Sequence, residues 1–461
     1  MKLGLHHWTQ RAVCISQVVS FLSLGASAQP LRPQESGGRS QFLFYEAVNL
    51  LADDPANSRI DVLYRINTDF FVAVKNAEAS FPWGFQRRGE IQIELLDSTD
   101  VSCARAISRF KLGANTTDQE PGHIVWHQGA DSFSVRPGTY RLVLEVTDLE
   151  SERRFFDRSR MVRANDFTRS GLQLSTPLFV ALDSSTAFPG RVVPQNFGGN
   201  LPFRGRTAML LEVASTGDSG VDFRVEYSLA ALRGRGEPPE TSTGDTLLQP
   251  QMLSGPVVTL AATDSAIAYS VNSGGGAHTS ALLIPLKTNE LPLRPLELRV
   301  TVRRADEVAT ITKPVLMVWP EMPASLRDVD RALQAIRYIT TERELDSLTR
   351  GSYEERRANL EGFWKSKGRP GTVDYRELMG AYYLRVDRAE KEFATLHEPD
   401  GSKTDRGRTF ILHGSPTRVE RTLSPTSGFQ EVWSYEMPAK KFVFVDKGKS
   451  GDYVLISSGS L

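Results

Sequence analysis

The chain has 461 residues, 55 basic and 55 acidic; its first 28 contain Lys2 and Arg11, so the remainder holds 53 against 55. No block of like charge is long enough to tether nucleic acid or a membrane surface. Of its two cysteines, Cys14 and Cys103, only Cys103 lies beyond residue 28, so the fold is expected to rest on apolar cores and not on a disulfide.

Residues 1–28 read as a signal peptide. Lys2 and Arg11 give a basic start, the stretch from Ala12 to Ala28 carries no charge, and Ala26-Ser27-Ala28 is a small-x-small cleavage pattern. The apolar part is too short and too rich in serine to span a bilayer, which needs about 20 strongly apolar residues. Arg11 stands where a lipobox ahead of Cys14 would need an apolar residue. Export with cleavage after Ala28, to the periplasm or the outside, is therefore expected. No later segment reads as membrane-spanning. About 430 residues remain, enough for two to four domains.

Gln29 to Gln41 is rich in Pro, Gly, Ser and Arg and reads as a flexible leader over 29–41. From 42 to 165 strands follow one another. Ile60, Val62, Tyr64 and Ile66 alternate with polar residues, as do Ile91, Ile93 and Leu95, and Tyr140, Leu142, Leu144 and Val146. Turn signals are read at Asp53-Asp54-Pro55, Arg88-Gly89 and Pro137-Gly138. This punctuated alternation predicts an antiparallel β-sandwich. Cys103 is expected to be a buried filler. A second sandwich is predicted over 171–320, its strands carrying Val221, Phe223, Val225 and Tyr227, then Leu296, Leu298, Val300 and Val302. Gly234 to Asp245 and Ser273-Gly274-Gly275-Gly276 read as long mobile connections.

After Pro320 the period changes. Leu326, Val329, Leu333, Ile336 and Ile339 recur at three and four residues, with Ser325 and Asp328 resembling a helix start. Ser352 with Glu355 is a capping box opening a helix that bears Tyr353, Leu360, Phe363 and Trp364. Beyond Pro370-Gly371 a longer helix carries Leu378, Tyr382, Val386, Ala389, Phe393 and Leu396. From Thr404 the period of two returns, predicting strands around 408–412, 432–435, 441–446 and 453–457. Residues 323–461 are thus expected to form an α+β domain, and the whole to be multidomain: two antiparallel β-sandwiches, then helices on a small antiparallel sheet.

This last segment resembles a known family. Gly401-Ser402-Lys403-Thr404-Asp405-Arg406-Gly407-Arg408, followed by Phe410-Ile411-Leu412 and Gly414-Ser415-Pro416, is similar to the signature of the GWxTD domain. Phe363-Trp364, Pro370-Gly371-Thr372, Tyr382-Tyr383-x-Arg385-Val386, Glu431-Val432-Trp433 and Phe442–Asp446 match in order. The family's name-giving tryptophan is Ser402 here. The resemblance implies an exported bacterial protein of this architecture and says little of activity.

The polar motif residues have two readings. A catalytic reading makes Asp405 a base and the arginines an anion clamp. The structural reading makes Thr404 and Asp405 turn formers, Gly407 a relief of the backbone before a strand, and Arg406 or Arg408 the partner of a carboxylate on the preceding helix. The structural reading is preferred for Trp364, Pro370, Gly371, Thr372, Gly401, Thr404, Asp405, Arg406, Gly407, Arg408, Gly414 and Pro416, and no catalytic residue is assigned.

Gly217-Asp218-Ser219-Gly220 mimics a serine-protease signature without a recognisable base motif and reads as a turn. His123 and His127 would lie about 13 Å apart on a strand, too far to share a metal ion. Gly448-Lys449-Ser450 lacks the glycine a phosphate loop needs, because Val443 stands there. No metal and no cofactor is expected. The favoured function is a non-enzymatic envelope or secreted protein binding other envelope or secreted proteins. The alternative is a hydrolase with its site in the C-terminal cleft around Asp405 and Arg406, with His413 or Asp446.

Overall fold

The computed structural model describes residues 42–460, apart from 79, 115–124, 216–222, 232–250, 264–265, 277, 289–290, 292, 294, 370–373 and 425–427. The signal peptide and leader, His123, the Gly217–Gly220 turn, the Gly234–Asp245 loop and the Pro370-Gly371-Thr372 bend lie outside the described residues.

Eight strands come first: β1 (Leu43–Leu51), β2 (Ser58–Asn67), β3 (Val74–Lys75), β4 (Phe85–Leu96), β5 (Ser102–Ala114), β6 (Trp126–Val135), β7 (Gly138–Asp148) and β8 (Arg154–Ala164). β1-β2-β6 form one antiparallel sheet; β3-β4-β7-β8, with β5 on β4, form another. Their alternating residues meet in one core, Ile60, Val62, Tyr64 and Ile66 against Ile91, Ile93, Leu95, Leu142 and Leu144. The period of two thus did what it predicts, turning one face of each sheet inward. Two local expectations fail. Arg88-Gly89 lies inside β4, not at a turn, because the ring of Phe110 packs where a Cβ on Gly89 would stand. Cys103 is exposed on β5, because its position alternates onto the solvated face.

Twelve more strands follow: β9 (Gln173–Leu174), β10 (Leu178–Ala181), β11 (Gly190–Val192), β12 (Leu201–Pro202), β13 (Thr207–Ala214), β14 (Arg224–Ala231), β15 (Gln251–Ser254), β16 (Pro256–Ala262), β17 (Ile267–Ser273), β18 (Thr279–Leu286), β19 (Pro295–Arg304) and β20 (Glu307–Val318). They make three sheets, ordered β10-β13-β18-β15 with β9 on β13, β11-β17-β16, and β12-β20-β19-β14. Among the described residues all pairs here are antiparallel except β12 with β20. The middle sheet is covered on both sides: Met209, Leu211 and Val213 of β13 join one core, while Ala208 and Leu210 join another. A strand buried on both faces reads as a continuous apolar run, as Ala-Met-Leu-Leu does. The second of these cores also takes in Val48, Leu50 and Leu63 of the first sandwich.

The helices are α1 (Val329–Ala335), α2 (Glu342–Leu348), α3 (Tyr353–Lys367), α4 (Tyr375–Glu392) and α5 (Asp405–His413), followed by β21 (Arg418–Ser424), β22 (Gly428–Tyr435), β23 (Lys440–Asp446) and β24 (Val454–Ser460) in sequential antiparallel order. Asp328 caps α1, accepting from the amides of Asp330 and Arg331, and the Ser352–Glu355 box opens α3 as expected. A second box, Thr341 with Glu344, opens α2. The buried stripe of α4 is Met379, Tyr382, Tyr383, Val386 and Ala389; Leu378 and Leu396, expected on it, are exposed, Leu396 at 91 %. Leu396 follows the end of the helix, where the 3.6-residue period no longer places it. The expected boundaries at 165–171 and 320–323 fall between elements, but the core of the second sandwich continues through Leu326, Leu333, Trp364 and Tyr383 to Phe444. Among the described residues no helix is long and apolar enough to cross a membrane.

Candidate functional site

The segment read as a turn into a strand at 408–412 is the start of a helix. Thr404 is the N-cap of α5: its Oγ1 accepts from the Gly407 amide at 3.0 Å and donates to the Gly401 carbonyl at 2.8 Å. Gly414 ends the helix with φ 76°, and its carbonyl accepts from the Tyr435 hydroxyl at 3.0 Å. The correction has a physical basis. Gly407, Phe410, Ile411 and Gly414 recur at three and four residues, but two of the four are glycines, so the helical stripe carries little apolar weight. A capping threonine, an acid in the first turn, a histidine in the last and a glycine beyond are helix signals that would have found it.

The glycines of the motif are demanded by contact. A Cβ on Gly401 would stand 2.4 Å from the Ala389 carbonyl, and one on Gly407 1.9 Å from the Gly401 carbonyl. They let the start of α5 nest against the end of α4. Asp400 holds the short turn between them by accepting from the Ser402 amide at 3.1 Å and from its hydroxyl. Ser402 is half-buried, and its carbonyl accepts from the Tyr338 hydroxyl at 2.9 Å.

Asp405 reaches across to the sheet, where its Oδ2 accepts from the Leu455 amide at 2.7 Å. Arg406 turns the same way. Its guanidinium lies 4.2 Å from the Tyr453 ring centroid, donates to the Gly451 carbonyl at 3.3 Å and comes within 3.6 Å of Glu431. The expected partner on the preceding helix is thus replaced by Glu431 on β22, because the first turn of α5 faces the sheet. Burial holds the Arg406 guanidinium below its ordinary value, and Glu431 works against that. Glu431 also accepts from Trp433 Nε1 at 2.6 Å and pairs with Arg421 at 3.1 Å. Asp446 accepts from the amides of Ser450 and Gly451, shaping the turn that offers its carbonyl to Arg406. In the sequence Glu431 stands only within the family match and Asp446 there and as a group of the hydrolase alternative; a buried acid demands donors, and that is the signal for the role the structure gives them.

Arg408 is exposed, 5.6 Å from the Tyr338 ring. Pro416 is half-buried between α5 and β21. His413 sits at the far end of α5, about 12 Å from Asp405 by helical rise, and 5.0 Å from the Phe442 ring; burial, then Lys440 and Arg385, lower its pKa. Asp405, Arg406 and Asp446 therefore meet the 446–455 turn, and His413 does not join them. His127 is buried in β6 against Phe110, ring centroids 3.8 Å apart. Among the described residues no group of three or more His, Cys, Asp or Glu could hold a metal ion. The Gly448-Lys449-Ser450 segment connects β23 to β24, as a hairpin should.

Trp364 is buried among Phe363, Tyr382 and Tyr383, and its Nε1 donates to the Tyr383 hydroxyl at 3.5 Å. Both tyrosines in turn donate to carbonyls of α1, Tyr382 to Ala335 at 2.7 Å and Tyr383 to Ala332 at 2.9 Å. One anchor went unread in the sequence. Arg376 at the start of α4 is fully buried and donates to the carbonyls of Phe203 and Leu291, both at 2.7 Å, tying the helix layer to the second sandwich. A cavity of about 530 Å³ between α1 and α4 is bordered by Arg331, Asp387, Glu390 and Lys391. Arg331 pairs with Glu390, and Asp387 accepts from the Ala324 and Ser325 amides.

No curated protein matches the chain. Among solved structures, it is similar at 6 % identity to the C-terminal domain of the AgI/II polypeptide BspA of Streptococcus agalactiae, covering 60 % of this chain and 100 % of that one, with a TM-score of 0.14. It is similar at 12 % identity to a structure of manganese lipoxygenase of Gaeumannomyces graminis and part of zonadhesin of Komagataella pastoris, covering 59 % and 93 %, with a TM-score of 0.12. At such scores neither likeness carries an argument. The sequence profile of the GWxTD domain matches residues 302–458, beginning inside β19, ahead of the expected boundary at 323. The capped α5, its nested glycines and its ties to the four-stranded sheet all fall inside this match, and the C-terminal third of the chain is similar to the GWxTD domain.

Proposed function

We propose that this protein is a non-enzymatic interaction and structural module of the bacterial envelope or its exterior, bearing partner-binding surfaces on a rigid stack of sheets. The observation that carries the reading is the use made of the motif. Thr404 is consumed by capping, Asp405 by the Leu455 amide, Arg406 by Glu431 and the Gly451 carbonyl, and the glycines by close packing. A general base must reach a substrate proton, and the contacts of these groups are with the protein itself. Export is supported by the residues at the start of the chain, an uncharged apolar stretch closing on Ala26-Ser27-Ala28.

The test is made in cells that produce the protein. N-terminal sequencing of the native protein is expected to read from Gln29. Photo-cross-linkers placed at the exposed Leu396 and Met437 are expected to give discrete protein adducts, and one placed on an exposed lysine far from these patches is expected to give none. An intact N-terminus would remove the export half of the reading. Absence of protein adducts from both positions would remove the interaction half.

A further inference from the structure

The start of α5 and the turn Ile336–Tyr338, between α1 and α2, meet at one ring. Tyr338 is half-buried; its hydroxyl donates to the Ser402 carbonyl at 2.9 Å and accepts from Arg337 Nη2 at 2.7 Å. The Arg337 guanidinium lies 4.7 Å from the centroid of that ring, and the Arg408 guanidinium, arriving from α5, lies 5.6 Å from it. Among the described residues neither guanidinium has a carboxylate within 4.0 Å. Other arginines of the same layer do: Arg331 meets Glu390, Arg356 meets Asp330, Arg388 meets Glu392 and Arg406 meets Glu431. Asp400, at the head of the turn that carries Ser402, is taken by the Ser402 amide and hydroxyl and by Lys403. A half-buried charge ordinarily finds an opposite charge, yet the acceptor that half-buried Arg337 meets is a neutral hydroxyl. A guanidinium held against a ring keeps its N–H donors in its own plane, where they can still reach an anion.

We propose that Arg337 and Arg408, spaced by the Tyr338 ring, grip carboxylates of an acidic peptide segment of a protein partner. The inference rests on the reading of the protein as an interaction module and names the chemistry of one partner surface. Charge complementarity carries it. Two like charges are held against one ring, a repulsion that an anion between them relieves. Arginine matches a carboxylate through parallel N–H donors, and a chain bearing carboxylates along its length can set one against each guanidinium. An anionic bilayer calls for a broad cationic face, whereas α2, next in the chain, opens with Glu342 and Glu344. The paired arginines form a narrow fork, which suits a single chain.

Fluorescence anisotropy of a labelled decaglutamate peptide, titrated with the full chain, tests this; a glycine–serine peptide of the same length is the neutral control. Wild type is expected to bind decaglutamate, more weakly as salt rises, and to ignore the control. Arg337→Gln and Arg408→Gln are each expected to weaken binding about tenfold, the loss of a charge-assisted contact. Arg418→Gln on β21 removes the same charge elsewhere and is expected to leave binding unchanged. Arg408 is exposed, so Arg408→Gln is expected to melt with wild type, which keeps the result readable even where Arg337→Gln unfolds. A wild type that does not bind decaglutamate overturns the proposal. So does a loss that is equal in Arg418→Gln, or binding that survives Arg408→Gln. Phosphatidylglycerol vesicles that bind through both arginines while the peptide is ignored overturn it in favour of a membrane. Discrete adducts at Leu396 or Met437 from a chain that ignores decaglutamate overturn it too, and leave the interaction reading standing.

Discussion

At the scale of single residues, Asp405 is the clearest case of a side chain whose type was legible and whose partner was not. Its carboxylate serves a backbone amide fifty positions away, Leu455, and nothing in the local sequence names that amide. Asp405→Asn keeps an acceptor oxygen in place, so it is expected to stay near wild type; Asp405→Ala strands the amide and is expected to lose about 1–2 kcal/mol. Urea denaturation of the three proteins gives the order. An alanine variant as stable as wild type would contradict the structural role and revive a catalytic one, since functional sites often store strain. Trp364 is read the same way from sequence and structure, as a buried anchor. Trp364→Ala is expected to cost about 3–5 kcal/mol, and a near-neutral result would mean that the ring is not held as described.

At the scale of elements, α5 shows how a short segment escapes periodicity. Its buried face is Gly407, Thr409, Phe410 and Ile411, too small and too polar to stand out against the neighbouring strands. The capping chemistry was the better guide, and it leads to a graded prediction. Thr404→Ser keeps the cap and is expected to be nearly silent, while Thr404→Ala is expected to cost about 1 kcal/mol. Gly407→Ala places a methyl against the Gly401 carbonyl and is expected to cost about 1–3 kcal/mol, the range for overpacking. Thermal melts of the three variants check the ranking. If Gly407→Ala were the mildest, α5 would not be nested as described. The long helices and the alternating strands needed no such help, because each buries a wide face whose period is written in its own residues.

At the scale of the whole molecule, the layers are joined by buried polar groups that periodicity never marks. Glu212 of β13 accepts from the Leu51 amide at 2.8 Å across the junction between the two β regions, and burial pushes its carboxyl up to about 7, with Arg59 working against the shift. A carboxyl raised above its unfolded value binds its proton more tightly in the native state. Its contribution to stability is therefore full below the ordinary glutamate pKa, near 4.5, and is lost as pH rises through about 7. Glu212→Gln keeps the acceptor and removes the titration. The stability difference between variant and wild type is expected to widen in the variant's favour between pH 5 and 8, by up to about 3 kcal/mol. Parallel pH profiles of the two would refute this. Arg376 is the matching tie to the helix layer; a fragment over 323–461 lacks its two carbonyl acceptors and part of the shared core. That fragment is expected to melt well below the intact chain, and equal melting would show that the C-terminal region is stabilised independently.

The residues by themselves determined the element types over most of the chain, the capped start of α3, the β-to-α change after Pro320 and the resemblance to the GWxTD domain. Each of these is a local pattern set by backbone propensity and by the period at which apolar side chains repeat. Tertiary structure alone decided which carboxylate Arg406 meets, which amide Asp405 serves, which strands are buried on both faces, and that the core of the second β region runs on through the helices into the last sheet. Those outcomes depend on contacts between residues tens to hundreds of positions apart, and a buried charge or a two-sided strand announces only that it needs a partner, not where the fold will supply one.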